Sequence, residues 1–212
     1  MLNKNIESIK KECENAVIVA ATKNHNADEL KELLTFGIKN FGENRVDEFL
    51  EKYELLKNED ITWHFIGHLQ TNKVSKMINK ISYLHSLDSL HLAKYIEKYR
   101  IEPLNCFIEI KFGKKTNKFG VDIDNVMDVL EEIKKYSTIK ICGLMYMNEE
   151  DESDEEKAFN FKRLSLLEDK LKLNGYNNIR YLSMGMSNDY KIALQCGSTH
   201  VRLGRILWEG MI

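Results

Sequence analysis

Lys23 follows the apolar run Ala16-Val17-Ile18-Val19-Ala20-Ala21, with only Thr22 between them. A short, continuous run rich in β-branched residues reads as a buried strand. An amine at the end of such a strand stands at the mouth of a core. There its pKa can fall and it becomes a nucleophile toward an aldehyde. Most lysines after strands are simply solvated, so the assignment depends on what else the chain brings to the same place. Lys111, closing the strand-like run Asn105–Lys111, is a competing amine. Two segments offer an anion site: Ser183-x-Gly185-x-Ser187, entering a helix near Asp189, and Arg202-Leu203-Gly204-Arg205. Small residues there let backbone N–H groups approach an oxyanion, and serine hydroxyls add donors. The plainer alternative is that Gly185 and Gly204 only turn the chain.

An amine nucleophile opposite a phosphate site fits a phosphorylated aldehyde held as a Schiff base. Pyridoxal 5′-phosphate is the candidate that meets this description. Arg202 then faces the pyridine nitrogen. A permanently charged guanidinium keeps that nitrogen unprotonated, so the ring is a weaker electron sink than with an aspartate partner. Other clusters have plainer explanations. His64 and His68 are four apart, but Trp63–Gly67 reads as strand, so they share no helix face, and H-E-x-x-H is absent. Gly113-Lys114-Lys115-Thr116 lacks the upstream glycine of a Walker loop. Met145 and Met147 read as barrel packing. The acidic run Glu149–Glu156 reads as a solvated loop and helix start.

Eight strand-like segments must position these groups: Val17–Thr22, Asn40–Gly42, Trp63–Gly67, Ile81–Ser86, Asn105–Lys111, Lys140–Met147, Ile179–Met184 and His200–Leu203. Helical patterns fall between them at Ala27–Phe36, Arg45–Leu56, Leu90–Tyr99, Asn125–Lys135 and Glu155–Leu173, with shorter ones at Thr71–Asn79 and Asp189–Gln195. An amphipathic helix over residues 2–15 leads the chain, and Ser153-x-x-Glu156 is a capping-box signature. Strict βα alternation predicts a parallel sheet. Eight units predict a single (β/α)8 TIM barrel with an extra N-terminal helix, in the α/β class. No Gly-rich turn follows the first strand, which weakens an open dinucleotide-binding sheet. In such a barrel the working groups stand at the C-terminal strand ends, and phosphate sites often follow the last two strands.

The 212 residues carry 43% hydrophobic and 30% charged side chains and a formal net charge of -2. This composition predicts one soluble globular domain over 1–212, with no basic field for nucleic acid or an anionic membrane. Apolar runs are far too short for a membrane span, and the N-terminus has no signal-peptide core. Cys13, Cys106, Cys142 and Cys196 are scattered without a C-x-x-C pair, which fits a reducing cytoplasm. No long exposed apolar face is evident, so a monomer is expected.

Several segments then combine into a resemblance. They are Ala21-Thr22-Lys23, Phe41-Gly42-Glu43-Asn44, Trp63-His64-Phe65-Ile66-Gly67-His68-Leu69-Gln70-Thr71-Asn72-Lys73, Leu84-His85-Ser86-Leu87-Asp88-Ser89, Gly143-Leu144-Met145, Leu182-Ser183-Met184-Gly185-Met186-Ser187-Asn188-Asp189 and Gly197-Ser198-Thr199-His200-Val201-Arg202-Leu203-Gly204. In this order they resemble the pyridoxal-phosphate homeostasis proteins over nearly the whole chain. The resemblance implies a barrel like the N-terminal domain of alanine racemases, without their second domain. It implies that Lys23 forms the Schiff base with pyridoxal 5′-phosphate. Ser183, Ser187, Arg202, Gly204 and Arg205 would line the phosphate and ring, with Asn44 and His64 near the cofactor. It further implies a cofactor-holding protein of vitamin B6 balance without known turnover, whose partners include pyridoxal-phosphate apo-enzymes. The alternative is a pyridoxal-phosphate-dependent amino-acid racemase, which would need a second base facing the lysine. Many family members have Thr or Ser where this chain has Arg205, and proline where it has Asn148 and the acidic run.

Overall fold

The computed structural model describes residues 2–112 and 119–209; the Gly113–Thr116 run lies outside them. All eight expected strands form: β1 (Val17–Ala21), β2 (Asn40–Glu43), β3 (Thr62–Phe65), β4 (Tyr83–Leu87), β5 (Leu104–Lys111), β7 (Ile139–Met145), β8 (Tyr181–Met186) and β9 (His200–Leu203). An additional two-residue strand, β6 (Val121–Asp122), pairs with β5 alone. Every pairing is parallel. The order β4-β3-β2-β1-β9-β8-β7-β5 closes on itself through β4–β5. The molecule is therefore a closed eight-stranded barrel of the TIM type, with β6 outside the ring.

The helices are α1 (Leu2–Glu12), α2 (Ala27–Thr35), α3 (Val46–Leu55), α4 (Val74–Met77), α5 (Leu90–Tyr99), α6 (Val126–Ile133), α7 (Asp154–Leu173), α8 (Tyr190–Gln195) and α9 (Arg205–Trp208). The capping box at Ser153 and Glu156 opens α7, and a second one, Asn26 with Glu29, opens α2. The expected helix over Thr71–Asn79 is instead α4 between two 3₁₀ turns, and no side chain caps its start. α9 had no counterpart in the periodicity, being a single turn.

The strands alternate two unlike faces, as the two-residue period requires. Outward residues, such as Trp63 and Phe65, Leu84, Leu182 and Met184, and Val201 and Leu203, join the helices in one large apolar core. Inside the barrel, Phe107, Cys142 and Met145 form a separate small cluster with Tyr83 against it. Much of the remaining interior is polar: His64, His85, Ser183, His200 and Arg202 are all buried, with Val19 of β1 level with Arg202 as an aliphatic neighbour. Met145 packs as expected, but Met147 is 39% exposed and packs nothing inside the barrel. Glu152 also departs from the solvated reading of its run. It is 9% exposed and receives the Asn160 amide at 3.2 Å.

Candidate functional site

The site begins at the exit of β1. Ala21 and Lys23 lie two residues apart, and both line an open groove with Gly204, Arg205 and Trp208. Directly after Lys23 the chain turns through Asn24, at φ 66 the one non-glycine residue in left-handed backbone among those described. Asparagine tolerates this conformation better than most residues. Lys23 is exposed in the groove.

Behind Gly204 the loop after β8 is tightly pinned. Gly185 has φ 94, and a Cβ there would stand 2.6 Å from Ala193 Cβ and 2.9 Å from Tyr190 Cα. Only glycine fits this turn. Asp189, 4% exposed, accepts the Met186 N–H at 2.6 Å and the Asn148 amide at 3.2 Å. These bonds fix Ser187, whose hydroxyl oxygen accepts the Gly204 N–H at 3.1 Å. Asn148 thus ties the loop after β7 to the loop after β8. Arg205 donates to Asn188 Oδ1 at 2.7 Å, its Nε lies 3.9 Å from Glu209 Oε1, and the side chain is largely exposed.

Beneath the groove runs a hydrogen-bonded chain across five strands, β9, β8, β4, β3 and β2. Arg202 Nη1 donates to Ser183 Oγ at 2.6 Å and to the Ser183 carbonyl at 2.8 Å, while Nη2 donates to the Tyr146 carbonyl at 3.0 Å. Ser183 Oγ lies 2.7 Å from His85 Nδ1, His85 Nε2 lies 2.8 Å from His64 Nδ1, and His64 Nε2 lies 3.0 Å from Asn40 Oδ1. An amide oxygen only accepts, so His64 Nε2 donates to Asn40, and with both buried rings neutral this fixes the direction of the whole chain. Every proton points from Arg202 toward Asn40, and each imidazole is neutral with its Nε2 protonated. Burial drives both rings the same way: His64 is pushed down to about 3 and His85 well below its usual value, with neighbouring histidines and Arg202 adding to the effect. Burial also lowers Arg202 to about 10, leaving it charged at neutral pH.

The expected residues therefore separate into two layers. Lys23, Ser187, Gly204 and Arg205 meet at the mouth; Ser183, Arg202 and His64 meet in the interior. Ser183 is a buried link of the interior chain, not part of the loop after β8. Both His64 nitrogens are engaged, so it reaches Arg202 only through His85 and Ser183. Asn44 borders a neighbouring polar hollow with His68, Gln70 and Lys73. Its Oδ1 is buried without a partner. The rival amine, Lys111, is drawn to Asp122 on β6 at 3.2 Å.

Two interior groups, Asn40 and Glu109, escaped the sequence reading, and a third, His85, was given no role in it. Asn40 and His85 complete the chain, and Glu109 lies on β5 between Phe107 and the strand end. Burial raises the Glu109 carboxyl to about 7; Asp88 adds to the rise and Arg202 opposes it. A lone glutamate between Ile108 and Ile110 was the visible signal for it. His85 was visible only as a strand-end residue with no evident partner.

Residues 1–210 match the family described as the alanine racemase N-terminal domain. A pyridoxal phosphate homeostasis protein of Aquifex aeolicus is 36% identical over 217 residues, covering 98% of this chain and 95% of that protein. The chain belongs to this family. A second homeostasis protein, from Synechocystis, is 35% identical and covers 90% of this chain and 89% of its own. The structure of PipY from Synechococcus elongatus with PLP bound superposes with a TM-score of 0.88 at 27% identity, covering 98% of this chain and 99% of PipY. The PLP-free form of PipY gives a TM-score of 0.91 at 28% identity over the same shares of both chains. Among the described residues no cluster of His, Cys, Asp or Glu is placed to hold a metal ion, and no helix is long and apolar enough to cross a membrane.

Proposed function

We propose that this chain is a single-barrel pyridoxal 5′-phosphate carrier that holds its cofactor on Lys23 and serves intracellular cofactor homeostasis without turnover. The observation that carries the reading is the groove: an amine and an exposed guanidinium border one opening with Gly204, whose N–H is held by Ser187 of the pinned loop, and a second guanidinium is buried below. The donor set suits this cofactor. Ser187 and Arg205 offer a hydroxyl and a cation for a phosphate, and the unpartnered Asn44 Oδ1 is an acceptor awaiting a donor. When bound, the cofactor supplies an aldehyde able to condense reversibly with an amine. Lys23 would provide that amine. Arg202, held by the Ser183 hydroxyl and two carbonyls, would meet the ring nitrogen as a donor with no proton to give up, which favours holding the cofactor over carbanion chemistry. Arg205 takes the place of a small hydroxyl residue and would add charge-assisted bonds to the phosphate.

Borohydride treatment of protein incubated with pyridoxal 5′-phosphate, followed by peptide mapping, tests this directly. The reduced adduct should sit on Lys23, and Lys23→Ala should abolish the visible absorption band. An adduct on Lys111, or no band in the wild type, defeats the assignment. Racemisation of alanine by the pure protein would favour an enzyme over a carrier. The same reading takes the protein to be a cytoplasmic monomer that passes cofactor to apo-enzymes. Sedimentation of the loaded protein checks the first point, and reactivation of an added apo-enzyme checks the last.

A further inference from the structure

β1 and β2 are fastened to one another beyond their ladder by a buried ion pair outside the groove. Glu43 is fully buried, and its Oε2 receives Lys52 Nζ at 2.6 Å and the Thr22 hydroxyl at 2.8 Å. Its Oε1 accepts the backbone N–H of Asn44 at 2.7 Å and of Arg45 at 3.3 Å. Lys52, 7% exposed on α3, also donates to the Thr22 carbonyl at 2.7 Å. That carbonyl belongs to the peptide bond joining Thr22 to Lys23. One ion pair therefore grips the backbone just ahead of Lys23 and the amide of Asn44, on two different strands. Thr22, Glu43 and Lys52 line neither the Lys23 groove nor the Asn44 hollow.

Stability alone is a weak reason for such a pair. Desolvating both charges costs about as much as their attraction returns, and apolar residues of similar volume often serve as well. What an apolar pair cannot supply is a directed hold on a particular carbonyl and a particular N–H. A small rotation of the Thr22–Lys23 peptide is magnified along the lysine side chain, and misplacements of an ångström weaken site chemistry severely. We infer that Glu43 and Lys52 are positioning residues: they fix Lys23 relative to Asn44 and set cofactor affinity without touching the cofactor. This rests on the reading of Lys23 as the anchor.

Equilibrium binding of pyridoxal 5′-phosphate should be measured for the wild type, Lys52→Met and the double variant Glu43→Gln/Lys52→Met. Amide hydrogen exchange at Asn44 and the thermal midpoint are recorded on cofactor-free protein. The double variant removes both charges together, so it keeps a folded protein in hand if the single variant is too unstable. Ser153→Ala serves as a control of lowered stability, since it loses only the α7 cap. Both latch variants should bind at least tenfold more weakly and exchange the Asn44 amide faster, while Ser153→Ala binds like the wild type. Affinity within twofold of the wild type in the double variant overturns the inference. So does an equal loss of affinity in Ser153→Ala, which would make it a stability effect. Failure of the anchor reading appears separately: Lys23→Ala would then keep the visible band, and the latch would lose its function with it.

Discussion

The direction of the Arg202–Ser183–His85–His64–Asn40 chain follows from donor and acceptor parity at single atoms. It gives each member one partner on each side. Removing a link therefore strands a neighbour. Ser183→Ala leaves His85 Nδ1 as a buried acceptor without a donor and costs about 1–3 kcal/mol. Urea unfolding should show this as a lower midpoint with an unchanged slope. A midpoint equal to that of the wild type would mean the bond contributes nothing. Arg202 keeps its bonds to the Ser183 and Tyr146 carbonyls in that variant, so the visible band of the bound cofactor should persist. Lys23 and Lys111 separate by the same local logic. Asp122 engages one of them, and the other stands in the groove beside Gly204 and Arg205.

At the scale of elements, the loop after β8 depends on Gly185. Alanine there combines a left-handed backbone with a methyl 2.6 Å from Ala193 Cβ. The expected cost is about 3 kcal/mol, read as a fall of about 10 °C in Tm. Because the same loop carries Ser187, the variant should also bind cofactor more weakly than its lost stability explains. Normal affinity at a temperature where it is fully folded would refute that. Much of this architecture was legible in advance. Strands such as Val17–Ala21 are short β-branched runs, and Ser153 and Glu156 announce α7 by their spacing. The mouth residues were legible too, because small and hydroxyl residues cluster after the last two strands. The interior chain was not. Successive members of the series Asn40, His64, His85 and Ser183 are 21 to 98 residues apart along the chain, with the Ser183–His85 link alone spanning 98, and only barrel closure brings them together. β6 and α9 were hidden for a different reason: elements of two and four residues carry no period.

For the molecule as a whole, the unusual feature is the set of buried polar side chains in a barrel interior where branched aliphatic layers are the norm. Its histidines make stability depend on pH. Burial holds His64 at about 3, His200 at about 4 and His85 well below its ordinary value, so all three stay neutral in the fold. In the unfolded chain each takes a proton near pH 6.5, about its ordinary pKa. Below that pH the unfolded state binds more protons than the fold, and stability falls as pH falls. Glu109 works in the opposite sense. Its folded pKa of about 7 lies above the ordinary glutamate value, so its contribution is complete at low pH and is lost as pH rises toward 7. Near pH 5.5 three histidines outweigh one carboxyl, leaving a net uptake of about two protons on unfolding and a slope of about 2.5 kcal/mol per pH unit. Urea midpoints measured between pH 5 and 7 should therefore decline steeply toward the acid end. Glu109→Gln should make the decline steeper, because it removes the one group that opposes the histidines. A flat profile would show that the rings are charged in the fold, and the chain from Arg202 to Asn40 could not then run in a single direction.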